Sequence, residues 1–187
     1  MPTQKLNKLL IQQCRKQDRK AIQELYFLLF EGFMRIVSPY VSDNSEAKSI
    51  VNDAFIKLLS KLGSIQNIQA FPSWANKIVR NTAIDSIRKN ANYKSKVRLE
   101  DYDENRATFS DDILQELNGQ DLLKMIQTLQ AKERLVFTLF FVEEFSHKEI
   151  AQELEISTEM SRWLLYKAKK NFKKIYIQMN RVSMQMR

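Results

Sequence analysis

FSHKEIAQELEISTEMSRWLLYKAKKNFKK, residues Phe145 to Lys174, is the stretch whose reading decides the fold. Ser146 followed three residues later by Glu149 is a capping box, so the pattern predicts a helix start there. Ile150, Ala151 and Leu154 give that short helix one apolar side. Glu155-Ile156 is the tight connection, and Ser157 is the N-cap of a second helix running through Leu164, Leu165 and Ala168. The polar positions of this second helix are Arg162, Tyr166, Lys167, Lys169 and Lys170. Two short helices around a tight turn, the second one basic, fit a helix-turn-helix whose second helix enters a DNA major groove. An amphipathic hairpin that only packs fits the same spacing. Glu155 stands where such turns usually have glycine, so it must adopt the turn conformation at some steric cost. Ser161 stands where a β-branched residue is usual, and it is expected to bury less. His147, at the helix start, is expected to be exposed rather than catalytic.

Composition narrows the choice. Only three Gly and three Pro in 187 residues argue for a helical protein, since turn-rich folds use more of both. A formal charge of +8 suggests a polyanionic partner, nucleic acid first and an anionic membrane second. The charge is unevenly placed. Residues 1–98 hold seventeen basic against seven acidic residues, 99–121 one against eight, and 122–187 twelve against seven. Two basic blocks joined by an acidic connector is the layout expected of two nucleic-acid-binding parts. Cys14 is the only cysteine, which excludes a disulfide framework and a cysteine zinc site and fits a reducing cytosol. It is expected to sit in a helix. The first residues lack an uninterrupted apolar core, so no signal peptide is expected, and no apolar run approaches the ~20 residues that span a bilayer. No stable membrane insertion is expected.

Working outward toward the N-terminus, Leu6, Leu9, Leu10 and Ile11 are spaced to share a helix face, and Asp18 can cap the next helix. That helix holds Ala21, Ile22, Leu25, Leu28 and Leu29 and continues toward Val37, where Ser38-Pro39 interrupts it. A further helix is predicted from about Glu46 to Leu62, with Ala47, Ile50, Val51, Ala54, Phe55, Leu58, Leu59 and Leu62 as a wide apolar stripe. Gly63 is read as its C′ residue. Pro72 suits the first turn of a helix running to about Asn90. One side of it carries Ala75, Ile78, Val79, Thr82, Ala83 and Ile87. The opposite side carries Lys77, Arg80, Asn81, Ile84 and Arg88, with Trp74 and Asp85 beside it. Such a face can grip phosphates, hydrogen-bond a base and stack on one. A solvated face with Trp74 packed on a neighbour accounts for it equally well. From Ala91 to Gln120 the apolar pattern fades, as in a linker. Leu122, Leu123, Met125, Ile126 and Leu129 then predict one helix, and Lys132 to Val142 a Phe-rich one at the centre of a four-helix second domain. The tail after Lys174 is expected to fray.

These stretches, in this order, resemble the extracytoplasmic-function (ECF, group 4) sigma factors of the sigma-70 family, from about Arg15 to Ile177. Ser49-Ile50-Val51-Asn52-Asp53-Ala54-Phe55 is similar to the family's Asp-Leu-Val-Gln-Glu-Val-Phe pattern in region 2.2, with both polar positions one methylene shorter. Trp74, Ile78-Val79-Arg80-Asn81, Asp85 and Arg88 match the pattern of regions 2.3 and 2.4. Val142 to Ser157 resembles the start of the region 4 helix-turn-helix. Ser161 is similar to members from Bacteroidetes-like bacteria. Trp163 and Leu164 stand where polar residues are usual, which suggests an unusual −35 sequence or altered packing.

The resemblance implies an all-α chain: region 2 over 1–92, an acidic linker over 93–120 and region 4 over 121–187. It implies a promoter-specificity subunit that binds core RNA polymerase, reads the −35 element as duplex and the −10 element as melted DNA, and directs initiation. Ile50, Asn52, Asp53, Phe55 and Ile56 would then dock on the polymerase. Ile65, Trp74, Lys77, Arg80, Asn81 and Arg88 would serve the −10 element, with Asn81 on a flipped base and Ile65 bordering its pocket. Ser157, Thr158, Glu159, Arg162, Trp163, Tyr166, Lys167 and Lys170 would serve the −35 element. The linker would lie in the polymerase's nucleic-acid channel as a strand mimic, and a solvated spacer is the plainer reading of the same acids. The expected partners are core polymerase through its β and β′ subunits, promoter DNA and, as often in the family, an anti-sigma factor. The expected form is a cytoplasmic monomer when free. A one-component helix-turn-helix regulator, dimeric and sensing through residues 1–90, is the second reading. An enzyme is not expected: there is no phosphate-cradling Gly loop, no HExxH and no clustered metal ligands, so no metal or cofactor is expected either.

Overall fold

The computed structural model describes residues 6–90 and 117–185, and every regular element among them is helical. The α-helices are α1 (Lys8–Arg15), α2 (Arg19–Val37), α3 (Asn44–Lys61), α4 (Phe71–Asn90), α5 (Gly119–Thr128), α6 (Ala131–Phe141), α7 (His147–Leu154) and α8 (Thr158–Gln185). They fall into two units: α1, α2, α3 and α4 as far as Ser86 lie in the first, and α5 to α8 in the second. Most of the sequence read as a linker, 93–116, lies outside the described residues.

In the first unit, Asn7 caps α1, its Oδ1 accepting from the Leu10 amide at 2.8 Å. Leu10, Ile11 and Cys14 are buried, whereas Leu9, expected on the same face, is 62% exposed. A step of about 100° per residue turns Leu9 away from the stripe those three define. Burial, then the charges of Glu24 and Asp18, pushes the Cys14 thiol up to about 11, which makes it a core residue rather than a nucleophile. Asp18 caps α2 as its sequence position suggests, accepting from the Lys20 and Ala21 amides at 2.9 and 3.0 Å. Ala21, Leu25, Phe33 and Val37 form the buried stripe of α2. Leu28, expected among them, is exposed, as is Phe27.

Asp43 caps α3, and Ala47, Ile50, Val51, Ala54, Phe55 and Leu58 make its buried stripe. Gly63 does not act as a left-handed C′ residue, since no glycine has a positive φ. The helix instead tightens into a 3₁₀ turn at Leu62–Ser64. There the Ser64 hydroxyl donates to the Lys61 carbonyl at 2.7 Å, satisfying an end group that a glycine cap would otherwise serve. Arg15 of α1 holds the segment that follows, donating to the carbonyls of Leu62 and Ile65. In α4, Ala75, Val79, Thr82, Ala83 and Ile87 are buried as the periodicity predicts, Ile78 is half-buried, and the Thr82 hydroxyl is satisfied by the Ile78 carbonyl at 2.8 Å. Ile84 departs from its expected place on the basic side and is buried. The apolar stripe therefore spans three consecutive positions, 82 to 84, wider than one face.

In the second unit, Asn118 caps α5 through the Gln120 and Asp121 amides, so the helix starts at Gly119. α6 is the central element, with Leu135, Val136, Phe137 and Leu139 buried. Phe137 stacks on Phe172 of α8, ring centroids 5.0 Å apart, and both rings are fully buried. α8 does not fray after Lys174 but runs on to Gln185. The segment beyond Lys174 contains no Gly or Pro to stop it. No helix among the described residues is long and apolar enough to cross a membrane.

Candidate nucleic-acid interface

The helix-turn-helix is built from α7, a left-handed turn and α8. The predicted capping box is complete: the Glu149 carboxylate accepts from the Ser146 hydroxyl at 2.6 Å and from its amide at 2.8 Å. The side-chain bond, then the backbone one, holds the Glu149 carboxyl below its ordinary pKa. Glu155 adopts φ 55°, ψ 42°, the left-handed conformation that its position demands. The Ile156 amide bonds the Ala151 carbonyl at 3.0 Å across the turn. Ser157 caps α8, its Oγ accepting from the Met160 amide at 3.1 Å. The Glu159 carboxyl is also held low, by its own backbone amide first, then by the Ser157 hydroxyl and the Arg162 charge.

Ser161 keeps its place in the core and finds a polar partner there. It is fully buried, and its Oγ lies 2.9 Å from His147 Nδ1. A buried hydroxyl needs a partner, and the imidazole supplies it. His147 is accordingly half-buried rather than exposed, its ring 5.1 Å from that of Phe140. The pair ties the first turn of α7 to the first turn of α8. Leu164, at a position where polar residues are usual, is buried with Leu165, Ala168 and Phe172 and extends the packing face.

The residues expected to read duplex fall into two groups. Ser157, Glu159 and Lys170 are exposed, and Thr158, Arg162, Trp163, Tyr166 and Lys167 are half-buried. Lys167 is engaged within the unit: its Nζ sits 4.6 Å from the Trp163 ring centroid and 3.7 Å from Glu133 Oε1. Asn171 Nδ2 donates to Glu133 Oε2 at 2.8 Å. Glu133, on α6 and only 2% exposed, was not among the residues singled out from sequence. The signal is faint: an acid directly before an apolar helical run, on a face that should be dry.

On α4, Lys77 and Asn81 are exposed, and Trp74, Arg80 and Arg88 are half-buried. The Trp74 ring lies 5.7 Å from that of Phe71. Ile65 is buried and lines a cavity of about 260 Å³ with Ile11 and Arg15 of α1 and with Phe71. On α3, Asn52, Asp53 and Ile56 are exposed, and Asn52 Oδ1 accepts from the Tyr26 hydroxyl at 2.8 Å. Ile50 and Phe55 turn inward, so they support that face from beneath. Phe27, 66% exposed and 5.8 Å from Tyr26, extends the apolar surface on α2 and was missed because a lone exposed aromatic has no periodicity to betray it. No group of three His, Cys, Asp or Glu able to hold a metal occurs among the described residues.

With this geometry in place, comparison with known proteins is informative. Residues 32–93 match Sigma-70 region 2, and residues 119–172 match Sigma-70, region 4. The RNA polymerase sigma factor SigV of Bacillus subtilis is 29% identical over 140 residues, 75% of this chain and 81% of SigV. The ECF RNA polymerase sigma factor SigM of the same organism is 22% identical over 168 residues, 83% of this chain and 94% of SigM. A solved chain from the structure of CnrH in complex with the cytosolic domain of CnrY aligns at a TM-score of 0.40 and 14% identity, over 89% of this chain and 94% of that one, a likeness too loose to carry an argument.

Proposed function

We propose, for a chain that belongs to the sigma-70 family and is an ECF-type, promoter-recognising sigma factor of RNA polymerase, that its two helical units divide the promoter between them. The part within 121–187 reads the −35 element as duplex, with α8 in the major groove. The part within 1–92 docks on core polymerase and reads the −10 element as an opened strand. The linker between them ends at Asn118 rather than at 120, since Gly119 and Gln120 belong to α5.

The observation that carries this reading is the turn at Glu155. A left-handed residue closes α7 and starts a basic α8, the arrangement that places a second helix in a groove. Ser157, Thr158, Glu159, Arg162, Trp163 and Tyr166 at its N-terminal end then face base edges and sugar, Lys170 lies nearer the phosphates, and Lys167 flanks Trp163. Asn81 on α4 is the residue for a flipped base, because its exposed amide both donates and accepts. Lys77, Arg80 and Arg88 supply charge to the same strand, and Trp74 an aromatic surface. Asn52, Asp53 and Ile56 supply the polymerase-docking face.

The protein performs no catalysis of its own in this reading and needs no cofactor. Its place is the cytoplasm, where polymerase is. An anti-sigma factor is a further partner, and a Bacteroidetes-like source accords with Ser161.

The test is pull-down of bacterial core polymerase by the full chain, followed by run-off transcription on the DNA upstream of its own gene. A transcript that depends on the added protein is the expected result, and its start site defines the −10 and −35 sequences. Asp53→Arg is expected to weaken the pull-down, and unchanged recovery would reject that docking face. A chain that ignores polymerase but shifts duplex DNA as a dimer would instead be a one-component regulator.

A further inference from the structure

We infer that Glu133 is a specificity-positioning residue for duplex recognition: its buried carboxylate keeps Lys167 out of sequence-blind phosphate contacts and over the face of Trp163. The inference rests on the proposed reading of α8 as the −35 helix.

A carboxylate placed inside a small helical unit is costly unless it is paired and hydrogen-bonded. Glu133 is 2% exposed and uses both oxygens on α8: Oε1 lies 3.7 Å from the Lys167 ammonium and Oε2 accepts from the Asn171 amide at 2.8 Å. Trp163, Lys167 and Asn171 are spaced at i, i+4 and i+8, so they form one row along the helix. Lys167 sits between the Glu133 carboxylate and a π face, 4.6 Å from the Trp163 centroid, and both attract its ammonium group. Its side chain is 41% exposed, so the ammonium would be within reach of a docked backbone if it were released.

Held in place, Lys167 contributes little to counterion release, and the Trp163 ring is fixed as a base-edge contact. Released, it becomes one more phosphate ligand, which adds affinity for any sequence and specificity for none. This assigns a function to the ion pair that, beside the Asn171 hydrogen bond, joins the buried acid of α6 to the proposed reading helix.

The experiment measures binding of the full chain to two short duplexes, one carrying the −35 element defined by the run-off start site and one with the same bases scrambled, across a salt series. Glu133→Gln keeps the volume and one acceptor oxygen for Asn171, while it removes the charge and puts an amide NH2 in place of the oxygen that faces Lys167. It is expected to tighten binding to the scrambled duplex, lower the preference for the −35 duplex, and steepen the log–log salt slope by about 0.9, the value for one extra duplex phosphate contact. That corresponds to a loss between about 50 and 200 mM salt that is roughly 3.5-fold larger than for the wild type. Glu133→Gln combined with Lys167→Gln is expected to restore the wild-type slope. A merely structural carboxylate would weaken binding to both duplexes alike without steepening the slope, and that result overturns the inference. So does a steeper slope that persists in the double variant. If the wild-type chain does not distinguish the duplexes and Arg162→Ala changes nothing, the reading of α8 itself fails, and the inference with it.

Discussion

Two exposed positions on α4 and the face of α8 assigned to the −35 element differ in how far their side chains are engaged within the chain. On α4, Lys77 and Asn81 are exposed, and their side chains make no hydrogen bond or ion pair among the described residues. On α8, Lys167 is paired with Glu133 and seated on Trp163, Ser161 is bonded to His147, and Ser157 is committed to the Met160 amide. Side chains already ordered lose little rotamer freedom on binding, whereas open ones must be immobilised by the ligand. In the proposed division of labour, the preset face meets a duplex whose shape is fixed, and the open face meets a strand that must itself leave the stack.

The comparison breaks most completely if the packing behind α8 is removed. Phe172→Ala eliminates the ring stack on Phe137 and is expected to cost about 3–5 kcal/mol by denaturant titration. An unchanged midpoint would mean that this stack does not hold α8 on α6. On the other face, Asn81→Ala is expected to cut transcription from the cognate promoter about tenfold, the loss of one good base contact, with core association unchanged. Normal transcript levels would remove Asn81 from the pocket.

Two smaller effects sharpen the account of the preset face. Glu155→Gly should relieve the left-handed backbone at φ 55° and stabilise the unit by about 1 kcal/mol, seen as a higher Tm. A lower Tm would show that the Glu155 side chain contributes more than its backbone conformation costs. The smallest effect concerns pH. The Glu149 carboxyl is held below its ordinary value of 4.5 in the folded chain, so its contribution is present above that value and is lost as pH falls through the lowered folded pKa. Glu149→Gln should therefore show a lower Tm than the wild type near neutrality and converge with it in acid. A difference that is constant with pH would assign the effect to geometry rather than charge.

Some of this was legible residue by residue. Asp18 as a cap, the Ser146–Glu149 box and the apolar stripe of α3 are local patterns, and local patterns need only the helical repeat and backbone hydrogen bonding to be read. Glu155 was legible for the same reason: a turn of that length between two helices leaves its residue few conformations. The motif residues Trp74, Arg80, Asn81, Asp85 and Arg88 are likewise spaced by one helix, so their order in the chain is their order in space.

What stayed hidden depended on neighbours distant in sequence. Leu28 and Ile84 are apolar in any window, and only the packing of one helix on another decides which of them is dry. Ser161 reads as a weak core residue until His147, fourteen positions away, supplies its partner. Glu133 reads as a surface acid until α8 folds across it, thirty-eight positions on, and brings Asn171 to its carboxylate. The sequence by itself therefore determined the helices, their caps and the order of the motifs, because those follow from interactions within a few residues. Only the tertiary structure decided which polar groups are committed and which are left open, because burial and pairing are set by the elements that come to lie against each other.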